Sequence, residues 1–184
     1  GRNLLEIIND VLDLSKIEAG KMQVRPVRFN PSKVIEETAA LFRVRAAEKK
    51  LGIHVVITRQ VPAHIYADPT FFRQIVINLL SNAIKYTKSG GVIVRLHAED
   101  KAGGGLLLVD VEDTGEGIGK EKQSQIFEEF TQLHTIADGT TGTGLGLVIC
   151  QQLTQLMNGD LSFKSAAGKG SRFSLSLPID NLTP

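Results

Sequence analysis

Leu4, Ile7, Val11 and Leu14 recur at spacings of three and four, with Leu5, Ile8 and Leu12 beside them. That spacing predicts an amphipathic helix over residues 3–22. Its apolar face is broad for a helix at a chain end. Either it packs on its own domain, or it belongs to a dimeric bundle whose other helices lie elsewhere. Residues 23–30 read as extended. Asn30-Pro31 supplies a cap and a proline at the first helical position, so a helix starts there and ends near Leu51-Gly52. Val34, Ile35, Thr38, Leu41 and Phe42 form its inward side. Ile53 to Thr58 is a β-branched strand, and Ile65-Tyr66 a short one. Asp68-Pro69 starts a further helix to about Thr87 by the same capping logic. Strands follow at 91–98 and 106–112, then a loop at 113–119, a helix near 120–130 and a polar loop to 141. A helix at 143–157 and strands at 160–164 and 171–177 complete the chain.

Helices grouped with hairpin-like strands predict an α+β fold, an antiparallel or mixed sheet with helices on one face. Of the 18 glycines among 184 residues, fourteen fall in clusters at 90–91, 103–105, 115–119, 139–146 and 168–170. Clustered glycine marks turns, or backbone that passes close to something else. The glycines follow neither the strand–GxGxxG–helix order of a dinucleotide fold nor the P-loop pattern. Lys and Arg total 21 against 20 Asp and Glu, for a net charge of +1. This balance gives no electrostatic footprint for nucleic acid or an anionic membrane, and neither is expected as a partner. No apolar run approaches the roughly 20 residues that span a bilayer. The first residues, Gly1-Arg2-Asn3, lack the apolar stretch of a signal peptide. The single Cys150 excludes an internal disulfide framework. The expected setting is reducing and cytoplasmic.

Three constellations can carry chemistry. On the helix 68–87, Asn78, Asn82 and Lys85 fall within about 60° of one another at ~100° per residue, flanked by Gln74 and Ser81. Ile75, Leu79, Ala83 and Tyr86 lie to the core side. Amide oxygens one turn apart suit a hard cation such as Mg²⁺, and Lys85 suits a phosphate. Standing alone, such a stripe reads more readily as a plain solvated face. Second, Asp113-Thr114-Gly115-Glu116-Gly117-Ile118-Gly119 ends a strand in a carboxylate followed by alternating glycines. Such a loop admits a flat ligand, with Asp113 accepting from an exocyclic amine and Ile118 giving apolar contact. A calcium loop fails, because glycine stands where ligands are needed. Third, Gly139-Thr140-Thr141-Gly142-Thr143-Gly144-Leu145-Gly146-Leu147 leads into an apolar helix, where unpaired N–H groups bind phosphate. Between the last two lie Phe127-Glu128-Glu129-Phe130, a packing pair, and residues 131–141, with few core candidates and the character of a mobile lid.

The order of these motifs discriminates more than any one of them. Over residues 24–179 the chain resembles the GHKL ATP-binding superfamily, most closely the catalytic domain of sensor histidine kinases. Asn78 to Thr87 resembles the N box, Asp113 to Gly119 the first glycine box and Phe127 to Phe130 the F box. Gly142 to Leu147 resembles the second glycine box and Gly168 to Phe173 the closing one. The resemblance implies a two-layer α/β sandwich that binds ATP and Mg²⁺, the latter on Asn78 and Asn82. It implies catalytic roles for Asn78 and Lys85, with Lys85 meeting the phosphates and Tyr86 beside them. Asp113 would read adenine, with Gly115, Gly117 and Ile118 around it and the Ser171 hydroxyl nearby. Gly142, Thr143, Gly144, Leu145 and Gly146 would close on the triphosphate.

Residues 1–22, with Leu14-Ser-Lys-Ile-Glu-Ala-Gly20-Lys21, resemble the second helix of a dimerisation and phosphotransfer domain, leaving 23–184 as the catalytic domain. The style is that of hybrid kinases. The implied partners are a dimerisation domain with an acceptor histidine, a second copy in the full protein, and a receiver domain or response regulator. None of His54, His64, His97 and His134 has the acceptor motif, so the chain is expected to donate phosphate without carrying its own acceptor. ATP-hydrolysing relatives place Glu where Asn78 stands, and an amide is no general base. That departure favours transfer over hydrolysis. The alternative within the fold is a kinase-like regulatory module that acts by pairing through its first helix.

Overall fold

The computed structural model describes residues 2–101, 104–129 and 143–179. Its elements are α1 (Arg2–Glu18), β1 (Val27–Phe29), α2 (Pro31–Glu48), β2 (Gly52–Ile57), β3 (Ile65–Ala67) and α3 (Pro69–Tyr86). They continue with β4 (Gly91–Lys101), β5 (Gly104–Asp113), a 3₁₀ turn (Lys120–Gln125), α4 (Gly146–Leu156), β6 (Asp160–Ser165) and β7 (Ser171–Ile179).

Alternation in the strands builds the layers. Val92, Val94 and Leu96 of β4, Leu107, Val109 and Val111 of β5, and Phe173, Leu175 and Leu177 of β7 are buried. They meet Ile75, Leu79, Leu80 and Ile84 of α3, Ile149 and Leu153 of α4, and Ile35 of α2 in one core. The intervening positions put Arg95, Glu112 and Arg172 on the other face, where Glu112 Oε2 accepts from both guanidinium groups. Hydrophobic-in and polar-out is the signature of a sheet covered on one side. Burial pushes the Glu112 carboxyl up, but the two arginines outweigh it and hold the group below its usual range. The sheet order is β2-β4-β5-β7-β6, antiparallel except for β2–β4. The chain reaches that parallel neighbour by crossing over through α3, as parallel pairing requires. β1 and β3 form a separate antiparallel ribbon, and Phe29 of that ribbon packs on Phe72 of α3 at 5.6 Å between centroids.

Both expected caps are present. Asn30 Oδ1 accepts from the Lys33 N–H at 3.0 Å. Asp68 Oδ1 accepts from Thr70 and Phe71 at 2.9 and 3.1 Å, while Oδ2 accepts from the Arg25 N–H at 2.8 Å.

Several expectations change. The segment 120–130 forms only a six-residue 3₁₀ turn, Lys120–Gln125, with no buried residue. Its sequence Lys-Glu-Lys-Gln-Ser-Gln has no apolar stripe to stabilise an α-helix by packing. The helix expected from 143 starts at Gly146, because Gly144 has φ +73° and cannot join a right-handed helix. α1 ends at Glu18 rather than 22. Gly20 at φ +63° closes it, with Lys21 donating to the Lys16 carbonyl and Gly20 to that of Ile17. Leu41 is 68% exposed rather than inward. The buried residues of α2 are Pro31, Val34, Ile35, Thr38, Ala39 and Ala46; Leu41 lies about 20° round from Val34, yet two turns further along it is left exposed. The apolar face of α1 packs on its own domain at its C-terminal end, through Leu14 and the partly buried Ile17, and is open further back. Leu14 is buried, whereas Leu4, Leu5, Ile7, Ile8, Val11 and Leu12 are between 39% and 64% exposed. Phe130, His134 and the proposed lid 131–141 lie outside the described residues.

Asp68→Ala leaves three N–H groups of α3 and the β1 approach without an acceptor. It is expected to destabilise the fold by about 2–3 kcal/mol, read as a lowered urea midpoint at unchanged slope. Asp68→Asn, which keeps an acceptor for the helix cap, should cost less than half of that.

Candidate functional site

Asp113 is the last residue of β5, and the strand's alternation puts it on the same face as Val109 and Val111. It is 7% exposed. Oδ1 accepts from the Gly115 N–H at 2.8 Å and the Ser171 N–H at 3.3 Å. Among the described residues nothing donates to Oδ2. Burial raises the Asp113 carboxyl above its usual value, the two N–H groups work against that, and the Glu112 charge adds to the rise. The result is a desolvated acceptor with one oxygen held by backbone and the other available to a donor from outside.

The surrounding glycines are required by chain meeting chain. A Cβ at Gly115 would stand 2.5 Å from the Tyr86 carbonyl and 2.7 Å from Asp113 Oδ1. Gly117 has φ +66°, and a Cβ there would overlap the Ala166 carbonyl. Gly170 has φ +83°, and its Cβ would overlap the Asp113 carbonyl. The loop after β5 is thus wedged between the end of α3 and the β6–β7 turn. Glu116 donates its N–H to Tyr86, and its own carbonyl accepts from Gly168. Tyr86 is half-buried. Burial, and then the Glu116 carboxylate, raise its phenol, so it is neutral at pH 7.

Sequence reasoning missed the residues that tie this loop down. Ser165 Oγ accepts from the Ile118 N–H at 2.7 Å, donates to the Gly170 carbonyl at 3.0 Å and lies 2.8 Å from Ser171 Oγ. The Ser171 hydroxyl is therefore engaged across the hairpin. Gln123 Nε2 bridges the Ile118 and Ser165 carbonyls at 2.9 and 3.0 Å. The available signal was the register: Ser165 and Ser171 are the two ends of one hairpin. Phe127 of the F box packs edge-on against Phe163, which stacks on Phe173.

At the other end, Asn78 Nδ2 donates to the Gly146 carbonyl at 3.3 Å. This orients the amide, with Nδ2 toward α4 and Oδ1 away from that carbonyl. Asn82, one turn on, has no protein partner among the described residues. Lys85 Nζ lies over the Tyr86 ring, 5.0 Å from its centroid. The Leu145 side chain is fully buried, so only its backbone can face a ligand. The Thr143 hydroxyl accepts from the Leu145 N–H at 3.1 Å and donates to Asp10 of α1 at 2.7 Å. Gly142 lies outside the described residues. The structure thus assembles two polar ends joined by α3. One holds Tyr86, Asp113, Gly115, Gly117, Ile118 and Ser171; the other holds Asn78, Thr143, Gly144 and Gly146. Asn82 and Lys85 lie along the helix between them.

The family model of histidine kinase-, DNA gyrase B- and HSP90-like ATPases matches residues 67–181. The chain belongs to that family, and its mixed sheet and helices are those of the family's histidine-kinase branch. It is 38% identical over 177 residues to the sensor histidine kinase RcsC of Escherichia coli strain K12, covering 96% of this chain and 18% of RcsC. It is 40% identical over 187 residues to hybrid signal transduction histidine kinase B of Dictyostelium discoideum, all of this chain and 10% of that protein. Among solved structures it resembles full-length ShkA in complex with AMPPNP, with a TM-score of 0.85, 30% identity, 98% of this chain and 37% of that one. The catalytic domain of histidine kinase ThkA gives a TM-score of 0.71 at 26% identity, covering 85% of this chain and 97% of that one. The chain therefore spans between a tenth and a fifth of the curated relatives named here.

Gly117→Ala is expected to cost about 2–5 kcal/mol, combining a left-handed backbone with carbonyl overlap. Gly168→Ala tests the backbone part alone, since φ is +72° and nothing lies within 4 Å of its Cβ. It should cost only about 1–2 kcal/mol. Chemical denaturation of both variants checks the difference.

Proposed function

We propose that this chain is the ATP-binding catalytic part of a sensor histidine kinase, with residues 23–184 as the catalytic domain and residues 1–22 as the second helix of the dimerisation and phosphotransfer domain. The observation that carries the reading is the buried Asp113 carboxylate, with Oδ1 fixed by backbone and Oδ2 open. An exocyclic amine needs just such an acceptor, and the Ile118 and Gly117 backbone lies beside it. From Tyr86 to Asn78 the helix runs about 12 Å, enough to separate a base from its phosphates.

Asn78 and Asn82 suit Mg²⁺ on the structure's own terms. Both are neutral amides one turn apart, and the bond to Gly146 uses the Asn78 nitrogen and leaves its oxygen unengaged by that carbonyl. No group of three or more His, Cys, Asp or Glu that could hold a metal occurs among the described residues. A hard cation here would therefore complete its shell with phosphate oxygens and water. Bound there, it would supply charge neutralisation between the phosphates. Lys85 contributes a second positive charge, and the N–H groups of Gly144 and Gly146 are suited to oxyanions. The residues position the chain of phosphates and stabilise charge. An imidazole nitrogen of the acceptor histidine attacks the γ-phosphorus, the bond to the bridging oxygen breaks, and ADP leaves with that electron pair.

By the same reading, the phosphoacceptor sits on a dimerisation domain of a second copy or the full protein, and the phosphate passes on to a receiver domain. No helix among the described residues is long and apolar enough to cross a membrane. We place the domain in the cytoplasm. A purely regulatory role is not favoured, because the nucleotide-facing groups are assembled.

Asp113→Asn keeps an acceptor for Gly115 and Ser171 but turns an NH₂ toward the base. Calorimetry with ATP and Mg²⁺ should show affinity falling at least about tenfold, as expected for losing a hydrogen bond to a charged group. Unchanged affinity would remove Asp113 from the base site. The pH dependence has a definite sign. The raised Asp113 carboxyl takes up its proton above the usual aspartate range, so nucleotide affinity should fall on acidification sooner than for an ordinary carboxylate. Because the folded state binds this proton more tightly than the unfolded chain, the group's effect on stability declines as pH rises through that window. Free Asp113→Asn should consequently melt no lower than wild type at pH 7.

A further inference from the structure

Among the described residues, a hydrogen bond joins α1 to the segment that leads into α4. The Thr143 hydroxyl donates its single proton to Asp10 Oδ2 at 2.7 Å and accepts from the Leu145 N–H at 3.1 Å. A hydroxyl has no second proton to offer. The Asp10 charge therefore lies just behind the first turn of α4, the positive end of that helix. Cys150 senses the same charge. Burial pushes its thiol up to about 12, and the Asp10 carboxylate adds to the rise.

α1 is otherwise thinly held. Among its described side chains Leu14 is buried, Ile17 is partly buried against the core, and Asp13 accepts from Gln74 Nε2 at 3.1 Å. Six neighbouring apolar side chains face solvent. A helix attached over so little of its length sits at the low end of local stability, where a charge-assisted contact weighs heavily.

We propose that Asp10 is a built-in competitor of the triphosphate: docked α1 and bound phosphates contend for the Thr143 hydroxyl and the positive end of α4, so each weakens the other. This rests on the nucleotide reading of the site. The Thr143 proton cannot serve the Asp10 carboxylate and a phosphate oxygen together, and two anions at short range in a partly buried place repel. The coupling is reciprocal, so nucleotide must loosen α1 by the same factor by which α1 weakens nucleotide. It acts on the phosphates and not on the base, because Asp113 and its glycines stand at the far end of α3.

The test is calorimetric titration of the whole chain with AMPPNP–Mg²⁺ and, separately, with adenosine. Asp10→Asn keeps an acceptor for Thr143 and removes only the charge. It is expected to bind AMPPNP about tenfold tighter, with adenosine affinity unchanged. Asp10→Ala should shift the same way, which guards against a folding artefact in either variant. Glu18→Gln, an exposed acid at the end of α1, should alter neither ligand. In wild type, saturating AMPPNP should speed hydrogen exchange of the α1 amides, and this response should vanish in Asp10→Asn. Equal or weaker AMPPNP binding by both Asp10 variants overturns the proposal while leaving the nucleotide site standing, as does an equal gain for adenosine. Wild type that binds neither ligand overturns the site reading and this inference with it.

Discussion

A carboxylate at the inner end of a hydrophobic strand is the constraint around which the rest is arranged. β5 alternates faithfully, so the register that buries Val109 and Val111 also buries Asp113. A buried charge is costly unless hydrogen-bonded. Here the compensating donors are backbone, from Gly115 on one side and Ser171 on the other, residues 56 positions apart in sequence. Each donor can approach only because glycine removes a side chain: Gly115 itself, and Gly170 against the Asp113 carbonyl. The compensation is partial, since burial still raises the carboxyl overall. The free protein keeps an incompletely satisfied acceptor that a ligand donor can complete; on the proposed reading, stability and recognition pull in opposite directions at this residue.

α3 turns that local arrangement into an extended site. Asp68 holds its first turn, and at the last turn Lys49 Nζ donates to the Ile84 and Lys85 carbonyls at 2.7 and 3.2 Å. A carboxylate at the N-terminus and an ammonium at the C-terminus both complement the helix dipole. Ile75, Val76, Leu80 and Ile84 are fully buried on one side. With both ends fixed and one face packed, the amides and Lys85 on the other face keep their spacing, which is what preorganisation of a ligand site requires.

Much of this was legible from sequence because the signals were local. Asn30-Pro31 and Asp68-Pro69 each specify a cap within four residues, and both act as read. The alternation in β4, β5 and β7 gave the sheet its inner face. The stripe of Asn78, Asn82 and Lys85 followed from helical geometry alone. What was not legible depends on contacts between distant segments. The Ser165–Gln123–Ile118 ties join β6 to a 3₁₀ turn, and nothing near Gln123 announces them. Leu41 read as core because it is apolar and shares the Val34 side of α2, but whether that side is covered at its level depends on the elements packed against the helix. The meeting of Asp10 with Thr143 spans 133 positions and needed the fold itself.

The Asn78 contact bears on why the residue at this position is an amide. Its Nδ2 donates to the Gly146 carbonyl, in the first turn of α4. A carboxylate in place of Asn78 could offer that carbonyl only lone pairs, so acceptor would face acceptor where α3 and α4 meet. The packing that positions the second glycine box therefore selects for a donor at position 78 and against a general base. An acid able to activate water would have to give up the α3–α4 contact or draw α4 away. In this chain the support for phosphate transfer over hydrolysis thus comes from the way two helices are fastened, and not from the chemistry of an amide alone.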